Sequence, residues 1–391
     1  MERGNVLIIG NSGVGKSTLI NAVLGENKAV TGYGTTGVTL GLDIFESEEV
    51  PFRLVDTIGF EPTLFNEYKA TRAIKRWSKE AAKEGKEDNK IDMIWLCVDG
   101  TSRKLFIKTI NSLFKATRMW KSVPIIAVIT KSYGEADRDE NIKMVSMAFN
   151  EQKKAREPIA IIPVVASPYE INETIIVPPQ GITELIEITN EKMPEAIKAA
   201  DKDLYEFKLK RRRGLSHSIV GLSTAAGVTI GAVPIPFADA AILAPLEFGL
   251  IRALSRIYEI NRNEKSKALF SRIVEVGTVG QVAKATISGL KAIPGINLAT
   301  SVINAIVAGA FVAAIGQGAI YAFENIYTGE KSVEDLDWIT RVIENQLSNQ
   351  FLEKVTVAIE KIQENGDMKN MSKLISSLIT SIFLQEEPEV K

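Results

Sequence analysis

Nine residues near the amino terminus constrain the fold more than any other stretch: Gly10-Asn-Ser-Gly-Val-Gly-Lys-Ser-Thr18. They fit G-x-x-x-x-G-K-[ST], with Gly10, Gly15, Lys16 and Ser17 at the fixed positions. The apolar run Val6 to Ile9 precedes them and reads as a strand. Leu19, Ile20, Val23 and Leu24 follow at a spacing that places them on one face of a helix. A strand, a glycine-rich turn and a helix in that order predict a phosphate cradle. Glycines let the backbone turn inward. Successive N–H groups from Gly13 to Thr18 then face phosphate oxygens, and the helix N-terminus adds partial positive charge. On this reading Asn11, Gly13, Val14, Gly15, Lys16, Ser17 and Thr18 hold phosphate. Lys16 reaches the β- and γ-phosphates, and the Ser17 hydroxyl ligates Mg²⁺.

Such a cradle needs a sheet to carry it. Short apolar runs recur at Val6 to Ile9, Phe52 to Val55, Met93 to Val98, Ile125 to Ile129 and Ile159 to Val165, with helix-like segments between most of them. That alternation predicts an α/β domain with a mostly parallel sheet and helices on both faces. Val38 to Glu46 reads as an extra strand, hairpinned onto Phe52 to Val55. The chain has 391 residues, more than one core usually supports, so two domains are expected. Strand signals stop after Met193. The expected division is residues 1–193 as the α/β domain and 194–391 as an all-α domain, with apolar helical regions at 214–254 and 288–326.

Composition narrows the chemistry. Lysine and arginine number 47 against 48 aspartates and glutamates, which argues against nucleic acid as a partner held by bulk charge. A single cysteine, Cys97, excludes an internal disulfide, and a single histidine, His217, argues against a zinc site. Both read as structural residues. The opening Met1-Glu-Arg-Gly-Asn-Val-Leu-Ile-Ile9 leads straight into the cradle, and a cytoplasmic location is expected.

Three further segments follow in order. Asp56-Thr57-Ile58-Gly59 closes the run Phe52 to Val55; the carboxylate suits Mg²⁺ and the Gly59 N–H suits a γ-phosphate. Thr130-Lys131-Ser132-Tyr133 follows Ile125 to Ile129, and Ala166-Ser167 follows Ile159 to Val165. In this order the segments resemble a TRAFAC-class GTPase of the Era-like group, over most of the first 190 or so residues. That resemblance implies GTP and GDP as ligands, Mg²⁺ as cofactor, and a guanine site formed by Thr130, Lys131, Ala166 and Ser167. It also implies a switch threonine. Thr39 is assigned on its distance from Asp56, which resembles immunity-related GTPases, and Thr36 is the rival. Two departures stand out. Tyr133 occupies the place of the aspartate that usually reads guanine, with Glu135 and Asp137 just beyond. Phe60 occupies the place of a water-orienting glutamine, so slow hydrolysis is expected, raised by pairing of two such domains into a homodimer. Lys16, Ser12 and Thr39 are the candidate catalytic residues, with Asn11 as an alternative to Ser12. Ser17, Thr39 and Asp56 are the candidate metal ligands. Arg72 and Arg103 are candidate transition-state arginines with no feature that selects them.

The second half carries long uncharged stretches, Gly214 to Ala238 and Ala292 to Phe323. The phrase Ala232-Val-Pro-Ile-Pro resembles a helical domain attached to some bacterial GTPases, and also the helical domain of immunity-related GTPases. Ala292 to Phe323 is long enough to cross a bilayer, and the basic run Lys208 to Arg213 suits an anionic surface. Gly and Ala richness and the prolines at 234, 236, 245 and 294 suit a bundle instead. Three arrangements are open: a soluble helical bundle, reversible attachment to a membrane, and a spanning segment. The bundle is preferred.

Overall fold

The computed structural model describes residues 3–25, 42–47, 50–57, 90–102, 110, 122–151, 157–172, 174–194, 201–233, 240–261, 263–279, 298–365 and 371–384. The contacts divide the chain into two compact units, Met1–Ser167 with Pro179–Arg211, and Pro168–Pro178 with Arg212–Lys391.

The first unit is built on six strands: β1 (Gly4–Ile9), β2 (Leu42–Phe45), β3 (Phe52–Thr57), β4 (Met93–Asp99), β5 (Ile125–Thr130) and β6 (Ala160–Pro163). Their order across the sheet is β2-β3-β1-β4-β5-β6. All neighbours are parallel except β2, which runs antiparallel to β3. Parallel strands are buried on both faces and so read as unbroken apolar runs. Val6, Leu7, Ile8 and Ile9 are accordingly 0–1% exposed. The chain passes from β1 outward to β3 on one side and to β4 on the other. Ligands of such sheets bind beyond the carboxyl ends of the strands where this reversal occurs.

Helices α1 (Lys16–Leu24), α2 (Glu135–Asn150) and α3 (Ile182–Glu191) cover this sheet. Buried Trp95 fixes the underside: its indole donates to Thr189 Oγ1 at 3.0 Å and its ring stands edge-on to Phe52. A hairpin of β7 (Tyr169–Asn172) and β8 (Ile175–Val177) leaves the first unit between β6 and α3. The sequence did not signal it.

Beyond α3 the described elements are helical: α4 (Asp201–Gly231), α5 (Ala240–Ile257), α6 (Glu264–Val274) with a π-turn at Glu275–Val279, α7 (Thr300–Tyr327), α8 (Leu336–Gln346), α9 (Asn349–Asn365) and α10 (Met371–Phe383). The division of contacts falls inside α4, and the domain boundary expected after Met193 lies before that helix. Pro245, expected to interrupt or bound a helix, lies inside α5.

In the helical unit α7 is the central element. It is long and apolar enough to cross a membrane by length and composition, yet 89% of its apolar window is buried. Helices α5, α6, α8, α9 and α10 pack on it. Against α4 it lies close: a Cβ at Gly231 would stand 2.7 Å from the Asn304 carbonyl, and one at Gly316 would stand 2.7 Å from Val220. At α4's entry to this unit, Arg212 donates to the Ile257 carbonyl and to Glu259 (2.6 Å), and its guanidinium lies 4.5 Å over the Tyr327 ring. Glu259 itself has φ 55, a left-handed helix-end conformation in which Ile260 N–H reaches back to Ser255 O at 2.9 Å.

Candidate functional site: an anion cradle at the end of β1

Gly10 ends β1 where no side chain fits. A Cβ there would stand 2.8 Å from the Cys97 carbonyl oxygen and 2.9 Å from Val14 Cγ1. Two residues then take left-handed backbone, Gly13 with φ 74 and Gly15 with φ 102. Gly15 is the N-cap of α1, and the helix starts with Leu19 N–H donating to Gly15 O at 3.0 Å. The N–H groups of a helix's first turn have no partner within the helix, so those of Lys16, Ser17 and Thr18 are the donors this turn can present. A Cβ on Gly13 would meet nothing within 4 Å, so the concave side of the loop is open. Ser12, Ser17 and Thr18 are exposed.

Within the loop the Val14 N–H, expected to face phosphate, donates to Asn11 O at 3.2 Å. The Lys16 ammonium arches over the loop and donates to the carbonyls of Gly10 (3.0 Å) and Asn11 (3.3 Å).

Behind the loop stand Thr130 and Lys131. Thr130 is 2% exposed, and its hydroxyl lies 2.6 Å from Val14 O and 3.0 Å from Val98 O. Lys131, at φ 53, sends its ammonium to Gly13 O (2.8 Å) and to Asp99 Oδ2 (2.6 Å). In a trans peptide the C=O and the following N–H point opposite ways. Holding the Val14 carbonyl backward therefore aims the Gly15 N–H forward. Thr130 is thus a brace of the cradle, its buried hydroxyl set between the loop carbonyl of Val14 and the strand carbonyl of Val98. Asp99, which sequence reasoning missed, also accepts from Thr101 N–H (2.9 Å) and Oγ1 (2.6 Å). Burial pulls its carboxyl upward, and the bonds from Lys131 and Thr101 outweigh that, so it lies below the ordinary carboxylate range. Its signal was an aspartate closing a strand, like Asp56.

Asp56 lies beside Ile8 in the β1–β3 register and opposite Asp43 in the β2–β3 register. Burial raises the Asp43 pKa. The donor set near the cradle fits Mg²⁺: a hydroxyl at Ser17 and a carboxylate at Asp56 are hard oxygen ligands. Mg²⁺ usually takes one or two protein carboxylates and completes its shell with water and phosphate. Among the described residues there is no group of three His, Cys, Asp or Glu that could hold a metal by itself.

Past the end of β5, in the segment expected to meet a base, Ser132 donates from its amide to Val164 O (3.2 Å) and from its hydroxyl to Ile129 O (2.7 Å). Arg138 donates twice to Ser132 O (3.1 and 3.0 Å) and once to Gln180 Oε1 (2.6 Å). Sequence reasoning had no signal for Arg138. Ala166 is half-buried and Ser167 exposed, just past Val165. Thr36, Thr39, Gly59, Phe60, Arg72 and Arg103 lie outside the described residues. Cys97 is fully buried, as expected of a core residue. His217 is half-buried, and burial followed by nearby Arg213 lowers its pKa against the pull of Glu324.

Residues 5–131 match the family model described as 50S ribosome-binding GTPase. Residues 202–351 match a domain of unknown function (DUF697). GTPase Der of Treponema pallidum subsp. pallidum is 46% identical over 71 residues, 17% of this chain and 14% of Der. The tRNA modification GTPase MnmE of Porphyromonas gingivalis is 33% identical over 140 residues, 34% of this chain and 27% of MnmE. The chain thus spans a minor part of these curated relatives. Among solved structures, Era in complex with MgGDPNP and nucleotides of 16S ribosomal RNA aligns at 18% identity, 58% of this chain and 68% of that one, with a TM-score of 0.31. LeoA, a bacterial dynamin GTPase from ETEC, aligns at 12% identity over 97% and 90%, also with a TM-score of 0.31. Likeness at that score carries no argument about this chain. Residues 5–131 are thus similar to GTPase-family proteins over about a third of the chain. The resemblance of the helical half to immunity-related GTPases has no counterpart among these matches. The expectation that nucleic acid is not a partner gains no support from a matched family model described as ribosome-binding.

Proposed function

We propose that this chain binds GTP and GDP with Mg²⁺, hydrolyses GTP to GDP and phosphate, and uses the nucleotide state to control self-association or membrane contact by its helical unit. One observation carries the reading. Two left-handed glycines and an uncapped helix N-terminus form a concave loop, and Thr130 and Lys131 pin its carbonyls from behind.

In this assignment Asn11, Gly13, Val14, Gly15, Ser17 and Thr18 line the phosphates. Lys16 exchanges its two carbonyl partners for β- and γ-phosphate oxygens. Ser17 and Asp56, with Thr39 by sequence, would hold Mg²⁺, which would neutralise phosphate charge. Thr130, Lys131, Ala166 and Ser167 form the base site, and Gly59 meets the γ-phosphate. Water attacks the γ-phosphorus while the bond to the β-phosphate oxygen breaks. Ser12 or Asn11 lies at the loop edge where that water would stand. Hydrolysis is slow without a partner because Phe60 has no amide to orient the water, and pairing of two GTPase domains raises it. The protein acts in the cytoplasm. Burial of α7 favours peripheral contact with a membrane over spanning.

Phosphate release from GTP tests this. Turnover should require Mg²⁺, disappear in Lys16→Ala and rise with protein concentration. Turnover equal in Lys16→Ala would overturn the assignment, and a single-turnover rate independent of concentration would remove the pairing.

A further inference from the structure

The chain between β6 and α3 does more than join a strand to a helix. After Ser167 it runs out into the β7–β8 hairpin and returns at Pro179. The root of this excursion is fixed in the first unit. Val165 and Gln180 exchange both backbone hydrogen bonds at 3.0 Å. Gln180 also accepts from Arg138, whose other nitrogens hold Ser132 O. The root is therefore tied to both base-facing segments, Lys131-Ser132 and Ala166-Ser167.

The tip is built into the helical unit. Strand β8 lies on α5, Ile176 packs against the helical core, and Val177 is buried. The seat is Gly249 of α5, where a Cβ would stand 2.3 Å from the Thr174 carbonyl oxygen. Glycine inside a helix is less stable than alanine, and this close approach is what that glycine permits. Pro168 stands on the outgoing arm between root and tip, and Pro178 and Pro179 on the returning one. Proline fixes φ, which narrows the ways these short arms can absorb a displacement.

We infer that the β7–β8 hairpin is the element through which the helical unit reads nucleotide occupancy. A base settling on Ala166-Ser167 and Lys131-Ser132 shifts the hairpin root, and α5 receives the shift at Gly249. This rests on the reading of the cradle as a GTP site. It names the path by which that site regulates the helical unit, and by linkage α5 acts back on nucleotide affinity with the same coupling.

Hydrogen–deuterium exchange of the full chain, with and without a non-hydrolysable GTP analogue and Mg²⁺, tests it. The wild type should show protection of the loop 10–18 together with a change at 169–177 and 240–257, of about fivefold or more in exchange rate if the coupling is of ordinary size. Gly249→Ala should keep the loop response and lose that of 240–257. Loop protection with silent 169–177 and 240–257 in the wild type overturns this inference alone. So does an undiminished response at 240–257 in Gly249→Ala. Absence of protection at the loop itself overturns the nucleotide reading and this inference with it.

Discussion

Replacing Glu247 with glutamine should stabilise the helical unit at neutral pH, and by an amount that grows with pH. Glu247 sits in α5 among Leu243, Leu246, Leu250 and Ile251, with no exposed surface. Neither of its carboxylate oxygens has a hydrogen-bond partner among the described residues. Burial pushes its pKa from 4.5 to about 8. At pH 7 the folded chain therefore holds it neutral, while the unfolded chain ionises it. A carboxyl with a raised folded pKa favours the fold fully below pH 4.5, and that advantage drains away as pH rises towards 8. At 1.36 kcal/mol per unit, the cost at pH 7 is about 3 kcal/mol, falling to about 1 kcal/mol at pH 5.5 and levelling near 5 kcal/mol above pH 8. Glutamine is nearly isosteric and does not titrate, so it leaves packing alone and removes the pH dependence. Urea unfolding of the full chain, followed by far-ultraviolet dichroism at pH 5.5, 7.0 and 8.5, gives the gap between wild type and variant. A gap that is constant across pH, or a variant less stable than wild type at pH 8.5, refutes the reasoning.

Three other outcomes follow from the geometry. Thr130→Val keeps the shape but removes the hydroxyl that holds Val14 O; losing about 1–1.5 kcal/mol of hydrogen bonding should weaken nucleotide binding by roughly tenfold by calorimetry. Arg212→Ala strands the Ile257 carbonyl and leaves Glu259 in left-handed backbone without its ion pair, so unfolding of the helical unit should come about 2–4 kcal/mol sooner in urea. Cys97 is fully buried and its thiol pKa is pushed up to about 12, chiefly by burial. A thiol reagent at pH 8 should leave it unmodified in the native chain and label it within minutes in denaturant.

Buried parallel strands made the first unit legible. Runs such as Val6 to Ile9 and Ile125 to Ile129 have no solvent face, so nothing polar interrupts them and their extent shows in the sequence. The cradle was legible because left-handed backbone at 13 and 15 and the tight packing at 10 all demand glycine. What stayed hidden depended on partners distant in sequence. Nothing local to Thr130 announces that its hydroxyl meets Val14 O, 116 residues away. Asp99 and Arg138 act through Lys131, Ser132 and Gln180, and no local pattern announces such bonds. The β7–β8 hairpin hid among prolines that read as a loop, and its strands are too short and too exposed to show an alternation. Composition only leaned towards a bundle for α7, because the buried core helix of a helical unit can be as long and apolar as one that crosses a bilayer.

Titration calorimetry of the full-length chain with GTP, GDP and ATP in the presence of Mg²⁺ tests the central claim most directly. The account predicts saturable binding of GTP and GDP, weaker binding of ATP, and loss of all three in Lys16→Ala. Equal heats in wild type and Lys16→Ala, or none with any of the three nucleotides, would contradict it.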